Sequence, residues 1–453
     1  MEQILEKDEQ WALPTEDSFR GAWLESYDLD LLRFKIQPKE AERLTYQQTL
    51  LLKVAYEALK DAGMESLAGK GANVAVITAM ESELEIHHRM GRWDLSWQVN
   101  QALSQAGFEL ETAREAQLTR ALKNAVFQAH EDHSPSEHTG FIGNIMSSRI
   151  SALMDFTGPA FTISSNENAV YKGLEVARNL LASGEEDAVV LGAIDLTGRV
   201  ESQLSRRAMH PVSGQGPSPA WERDTQGWTI GEGAGAIVLR RAEDTTKTDR
   251  VYARLDDLVL VQSERTDARG RSTAATVQRA AERVLDAQGL TASDIGYLEI
   301  SGNGITADDE AEIEGLSRVY QNQAEGLTCA IGNSKAYLGH TFSASGMVAI
   351  IQTALALYQR LLPSIPHWRA PKRPDLLAQS AFYFPSTARP WIPEPGQTHL
   401  RAAINGIASD GTVAHLLLSE ADHPGGDKAS FYSLHGGERL FPLRADRVER
   451  RGK

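Results

Sequence analysis

Apolar residues recur at helical spacing over residues 45–62, where Leu50, Leu51, Val54, Ala55, Ala58, Leu59 and Ala62 share one face and Gly63 supplies a stop. This pattern predicts a helix, and residues 112–129 predict a second amphipathic one. Two short unbroken apolar runs, 72–78 and 188–194, predict strands buried on both faces. Between them, residues 161–182 (FTISSNENAVYKGLEVARNLLA) pass from an apolar strand through a polar turn into a helix that stops at Gly184. Strand, helix and strand in that order imply a parallel crossover, so the turn should sit at the carboxyl end of a buried parallel sheet. Such a turn can mount a nucleophile, because the first turn of the helix offers unpaired N–H groups and a partial positive charge. Here it carries Glu167, a carboxylate that a helix N-terminus can stabilise but that attacks poorly compared with a thiolate.

The second half of the chain repeats the theme. Strands are predicted over 254–261 and 296–301, helices over 274–288 and 309–320, and a long helix from 344 to 361 follows the segment AIGNSKAYLGH. A strand pair, 400–407 and 412–420, closes the series. Residues 161–240 and 296–420 thus each place a strand, a polar turn and a long helix before later strands. The apolar run 343–363 contains Gln352, Gln359 and Arg360, so it reads as a buried helix rather than a membrane span. In GEGAGAIVLRR (231–241) the glycines precede a strand and open no helix, which favours close backbone packing over a phosphate loop. Residues 1–45 read as an irregular segment, 46–250 and 251–422 as two halves, and 423–453 as a linker or mobile tail.

Composition narrows the chemistry. The chain has 453 residues, 42% hydrophobic and 24% charged, as in ordinary globular proteins. A formal charge of -15 argues against nucleic acid or an anionic membrane as partner. The single cysteine, Cys329, rules out an internal disulfide and a zinc site of several thiolates, which fits a reducing cytoplasm. The opening MEQILEKDEQ has no apolar core of a secretory signal. His87 and His88 are adjacent and point to different faces of either regular element, so they suit a loop or helix surface better than a metal site.

Several separated stretches then combine. GFIGNIMSSRISALMDFTGPAFTI, ASGEEDAVVLGAIDL, WTIGEGAGAIVLRR, IGNSKAYLGH and DGTVAHLLL, in that order, resemble the β-ketoacyl synthase family of fatty-acid and polyketide assembly over roughly residues 45–420. The resemblance implies an α/β, thiolase-like fold, with two similar halves in five alternating αβαβα layers, usually dimerised across the central sheets. A working ketosynthase of this kind carries a Cys in TACSSS, a His in HGTGT, a Lys, and a second His. The thiolate takes the acyl chain, and the imidazoles stabilise the enolate formed when a malonyl thioester loses carbon dioxide. Carried onto this sequence, the family pattern puts Glu167 at the nucleophile position and Ser301 at the first His, while Lys335 and His340 match their counterparts. Ser409 and Asp410 fall where the family has a phenylalanine gate, a substrate-binding position.

An intact scaffold without the Cys and one His resembles the chain length factor, the sister subunit that pairs with an active ketosynthase. The stretches 28–63 and 74–95 and the elbow ENAVYKGLEVA look most like chain-length-factor domains of polyunsaturated fatty acid synthases, with heterocyst-glycolipid and enediyne-type megasynthases as neighbours. The implied partners are an active ketosynthase in a pseudo-symmetric heterodimer, or a second copy when isolated, and an acyl carrier protein. No resident cofactor is implied; a phosphopantetheine-borne acyl group would enter as substrate. Two alternatives stay open: a malonyl-carrier-protein decarboxylase in which Glu167 imitates an acylated Cys, and a structural docking domain in which Glu167, Ser301 and His340 are remnants.

Overall fold

The computed structural model describes residues 21–24, 26–41, 44–81, 95–108, 112–131, 143–198, 200–213, 219–263, 272–321, 326–393 and 397–421. His87, His88 and the tail 423–453 lie outside the described residues.

The first half is built from α1 (Tyr46–Asp61), β1 (Val74–Ala79), α2 (Leu95–Gln105), α3 (Thr112–Glu131), α4 (Asn144–Met154), β2 (Ala160–Ile163), α5 (Ala169–Ser183), β3 (Ala188–Asp195), α6 (Val200–Met209) and β4 (Gly233–Leu239). A capping box opens α1: the Thr45 hydroxyl accepts from Gln48 N, and the Gln48 side chain accepts from Thr45 N. Gly184, at φ 75, closes α5 as the sequence predicts. The apolar pattern does not single out α6, whose hydrophobic residues are few. The sheet order is β2-β1-β3-β4, with the first three strands parallel and β4 antiparallel to β3.

The second half comprises β5 (Arg254–Gln262), α7 (Ala274–Gln288), β6 (Tyr297–Glu299), α8 (Thr306–Val319), β7 (Cys329–Gly332), α9 (Ser345–Gln359), β8 (Phe382–Tyr383), β9 (Arg401–Ile407) and β10 (Thr412–Ser419). Its sheet runs β8-β7-β6-β9-β10-β5. Within it, β7-β6-β9-β10 repeats the order and strand directions of β2-β1-β3-β4. The halving predicted from the sequence is therefore a repeat of topology. Strand β6 is shorter than predicted because Ser301 leads into a loop whose Gly302 and Gly304 have φ 49 and 74, a region that glycine enters without strain.

Alternating strand residues sort the molecule into layers. Ala75, Ile77 and Ala79 face inward and pack with α5 and α9, while Val74 and Val76 face outward onto α1 and α4. Likewise Ile404 faces the inner helices and Ala403 the outer α7 and α8. The result is the αβαβα stack of a thiolase-like fold, with α5 and α9 as the central layer. The window Phe342–Gln359 is long and apolar enough to cross a membrane by composition, but 67% of it is buried between the two sheets, as the reading of a core helix requires. The glycines before and in β4 serve close packing: a Cβ on Gly231 would collide with the carbonyl of Leu338, and one on Gly235 would stand 2.8 Å from Met347 Cγ.

Candidate functional site

Leaving β2, the chain is pinned by Ser164 Oγ donating to Met80 O at 2.6 Å and by Asn166 N donating to Glu81 Oε1 at 2.6 Å. Asn166 takes φ 49, a conformation asparagine tolerates better than most residues, and a single 3₁₀ turn, Asn166–Asn168, leads into α5. Glu167 is thereby turned into the interior. Its Oε2 accepts from Ser409 N at 3.0 Å and from Ser409 Oγ at 3.1 Å. The donors come from the opposite half, beyond β9, so the side chain is held by a long-range clasp where the sequence suggested its own helix N-terminus. Burial pushes the Glu167 carboxyl up, against the pull of the Ser409 donors and of Lys335.

Ser301 lies at the end of β6, its Oγ accepting from Ile407 N at 3.1 Å and facing Asn303 Oδ1 at 3.5 Å. Lys335 is half-buried and its ammonium donates to Ser301 O. Burial lowers Lys335, while Glu312, Glu299 and Glu167 pull it back up. It is thus a half-buried member of the site, tied to the backbone at the end of β6. His340 is buried and stacks on Trp228 at 3.9 Å between ring centres. Its Nδ1 accepts from Phe342 N at 3.2 Å, which leaves the proton on Nε2, 3.2 Å from Asn303 Oδ1. Burial and the nearby Lys335 and Arg206 hold it well below the ordinary histidine range, so the ring is neutral.

The fold brings Glu167, Ser301 and Lys335 around one cavity of about 10 Å³, room for a single water. His340 joins them through Asn303. Asp410 does not: it is exposed in the β9–β10 turn, accepting from Thr412 N at 2.9 Å with Lys172 Nζ 4.0 Å away. Of the pair expected at a substrate gate, Ser409 is the clasp on Glu167 and Asp410 shapes the turn. The sequence reading missed the acids that organise the site. Glu312 accepts from Ser301 N, Gly302 N, Asn405 Nδ2 and Trp221 Nε1 at 2.7, 2.9, 2.6 and 3.1 Å. Glu299 accepts from Ser334 N and the Tyr297 hydroxyl, each at 2.6 Å. The available signal was a glutamate inside the apolar strand YLEIS, since a charge is buried there only with partners.

Glu167, Ser301, Lys335 and His340 each have hydrogen-bond partners within the protein. Cys329, the one cysteine, packs with the outer helices while its neighbour Ala330 faces the inner layer. It is fully buried, and burial pushes its thiol up, which disfavours the thiolate.

Two halves of like topology, each with an elbow leading into a shared central helix layer, define a thiolase-like fold. The chain belongs to the β-ketoacyl synthase family: the family model of the N-terminal domain matches residues 5–245, and that of the C-terminal domain residues 252–369. A ketosynthase from module 6 of the bacillaene synthase of Bacillus subtilis shares the fold, with a TM-score of 0.70 at 23% identity over 90% of this chain and 62% of that one. The solved PfaC keto synthase-chain length factor is 32% identical, with a TM-score of 0.67, and is matched over 90% of this chain and 37% of its own length. One polypeptide of the polyunsaturated fatty acid synthase of Thraustochytrium sp. is 29% identical over 89% of this chain, and the highly reducing polyketide synthase SAT13 of Stachybotrys chartarum 27% identical over 86%. The chain spans only 19% and 15% of those two relatives. It is a ketosynthase-family domain related to polyunsaturated fatty acid and polyketide synthases.

Proposed function

We propose that this chain is a chain-length-factor-like partner, which pairs with an active ketosynthase and walls the tunnel that receives a phosphopantetheine-borne acyl chain from a carrier protein. The observation that carries this is the closed elbow: a carboxylate stands at the nucleophile position, clasped by Ser409 beside a cavity of about 10 Å³ that no thioester fits. The edge of the first sheet supports pairing, since β2 has β1 on one side and no strand on the other among the described residues. The likeness to the PfaC keto synthase-chain length factor, of which this chain matches 37%, supports the same role.

The test is co-expression with the active ketosynthase of the same synthase, read by size-exclusion chromatography and by product lengths on substitution of residues at the shared interface. A stable one-to-one complex with shifted lengths is expected; no complex and unchanged lengths would sink the proposal. Malonyl carrier protein incubated with the chain alone should yield no acetyl product, because the occupied Asn303–His340 pair and the filled cavity leave the malonyl group no seat. An acetyl product measured by mass spectrometry would favour the decarboxylase instead.

A further inference from the structure

The layer between the second sheet and α8 is apolar around one polar pair. Ala403, Ile407, Val413 and Leu417 pack there with Ile313 and Leu316, while Asn405 in β9 and His415 in β10 stand opposite each other in the ladder. Both are buried, His415 completely. Polar side chains are kept in such a layer at low cost only as a fully satisfied chain.

The chain has four members and one direction. The hydroxyl of Tyr320, just beyond α8, lies 3.2 Å from His415 Nε2, and His415 Nδ1 lies 3.2 Å from Asn405 Oδ1. Asn405 Nδ2 donates to Glu312 Oε1 at 2.6 Å. Glu312 fixes the direction. Its two oxygens already accept from Ser301 N, Gly302 N and Trp221 Nε1, so Asn405 must turn its amide N–H toward them. Asn405 then offers only its oxygen to the imidazole, so His415 must carry its proton on Nδ1, and Nε2 is left to accept from Tyr320. Burial pushes His415 down to about 3, so the ring is neutral and has one proton to place. The opposite tautomer would turn the Asn405 amide over and set an oxygen against the Glu312 carboxylate.

What this chain holds in place is the loop after β6. Glu312 grips the amides of Ser301 and Gly302, Ser301 O receives the Lys335 ammonium, and Asn303 meets His340.

We propose that His415 is a positioning residue of the Ser301–Lys335 site: held as the Nδ1–H tautomer between Tyr320 and Asn405, it orients the Asn405 amide onto Glu312 and so fixes the Ser301–Gly302 turn. It acts through Asn405. The arrangement lies within one chain and needs no second protein, so its test stands apart from that of the proposed function.

The test is heteronuclear NMR of the full chain with labelled histidine nitrogens at about pH 7, where a histidine pushed down to about 3 is neutral. The His415 ring, assigned from its own backbone, should show a protonated Nδ1 and an unprotonated Nε2. Amide hydrogen exchange reads the consequence. His415→Leu fills much of the space and removes the donor; it should speed exchange at Ser301 and Gly302 about ten-fold relative to the amides of β3 in the other sheet, the worth of one hydrogen bond. His415→Asn returns an N–H near the Nδ1 position and should keep both amides within about three-fold of the unsubstituted chain on the same scale. A histidine that only filled space would be replaced better by Leu than by Asn. A ring protonated on Nε2, Ser301 and Gly302 exchanging in step with β3 in His415→Leu, or better protection by Leu than by Asn overturns the proposal. The tautomer is read on the unsubstituted chain, so it decides the matter even where neither variant folds.

Discussion

Asn166–Asn168 and Phe342–Ala344 occupy matching places in the two halves of the molecule. Each follows the strand on the same side of its sheet, opens with a non-glycine residue in the left-handed region, at φ 49 and 39, makes one 3₁₀ turn and enters a helix of the central layer. Their second residues also do the same thing. Glu167 crosses to Ser409 beyond β9, and Ser343 Oγ crosses to Ile194 O in β3, at 3.0 Å. What differs is the side chain and its outlook: a carboxyl beside a cavity of about 10 Å³, against a hydroxyl whose neighbours Phe342 and Asp195 border one of about 830 Å³. The scaffold asks each elbow for a tie to the opposite half; it does not ask for a reactive group. That is why the elbow can hold Glu167 while the fold around it stays intact.

The comparison can be broken most sharply at the left-handed residues. Phe342 is buried under Arg206 and near Trp228, so Phe342→Ala should cost about 3–5 kcal/mol, whereas Asn166→Ala, which only makes the positive φ harder to hold, should cost about 1–2 kcal/mol. Urea denaturation midpoints decide this, and equal losses would mean the elbows are not anchored differently.

Acidity sharpens it next. Asp195 beside the second elbow is raised from 3.8 to about 6, mainly by burial. The folded state therefore binds this proton more tightly than the unfolded state. Its contribution to stability is whole below pH 3.8 and is lost as pH rises to about 6. Asp195→Asn should flatten the stability profile across that window by about 3 kcal/mol, roughly two pH units at about 1.4 kcal/mol each. Glu167 is also raised, so Glu167→Gln should flatten the profile in the same sense above pH 4.5; a steeper profile in either variant would contradict the direction.

The smallest effects test the ties themselves. Ser343→Ala removes the bond to Ile194 O, and Ser409→Ala removes one of two bonds to Glu167 while keeping the backbone donor. Each should lower stability by about 0.5–1.5 kcal/mol, with Ser409→Ala the milder. Thermal unfolding of the two variants side by side measures the difference.

Much was legible in the sequence because it is local or periodic. Apolar spacing marked α1, α7 and α9, the unbroken runs marked β1 and β3, and Gly184 marked the end of α5. The elbow at Glu167 followed from strand, polar turn and helix in order, and the ordered motifs carried the family. Lys335 and His340 were found as residues, but their states were not: one donates to Ser301 O from a half-buried position, the other is a neutral ring on Trp228. Glu299 and Glu312 were passed over because their partners are scattered along the chain.

Sequence alone thus marked most of the elements, their alternating faces and the polar turn that carries Glu167, since period and residue identity are written locally. Only the tertiary structure decided that Ser409, 242 residues from Glu167, is its clasp, that Asp410 faces out while Ser409 faces in, and that Asp195 keeps an unpartnered oxygen beside a cavity. Those facts depend on how two repeated halves meet across α5 and α9. Hydrogen-bond partners and burial set the charge state of each group, and both are properties of that meeting.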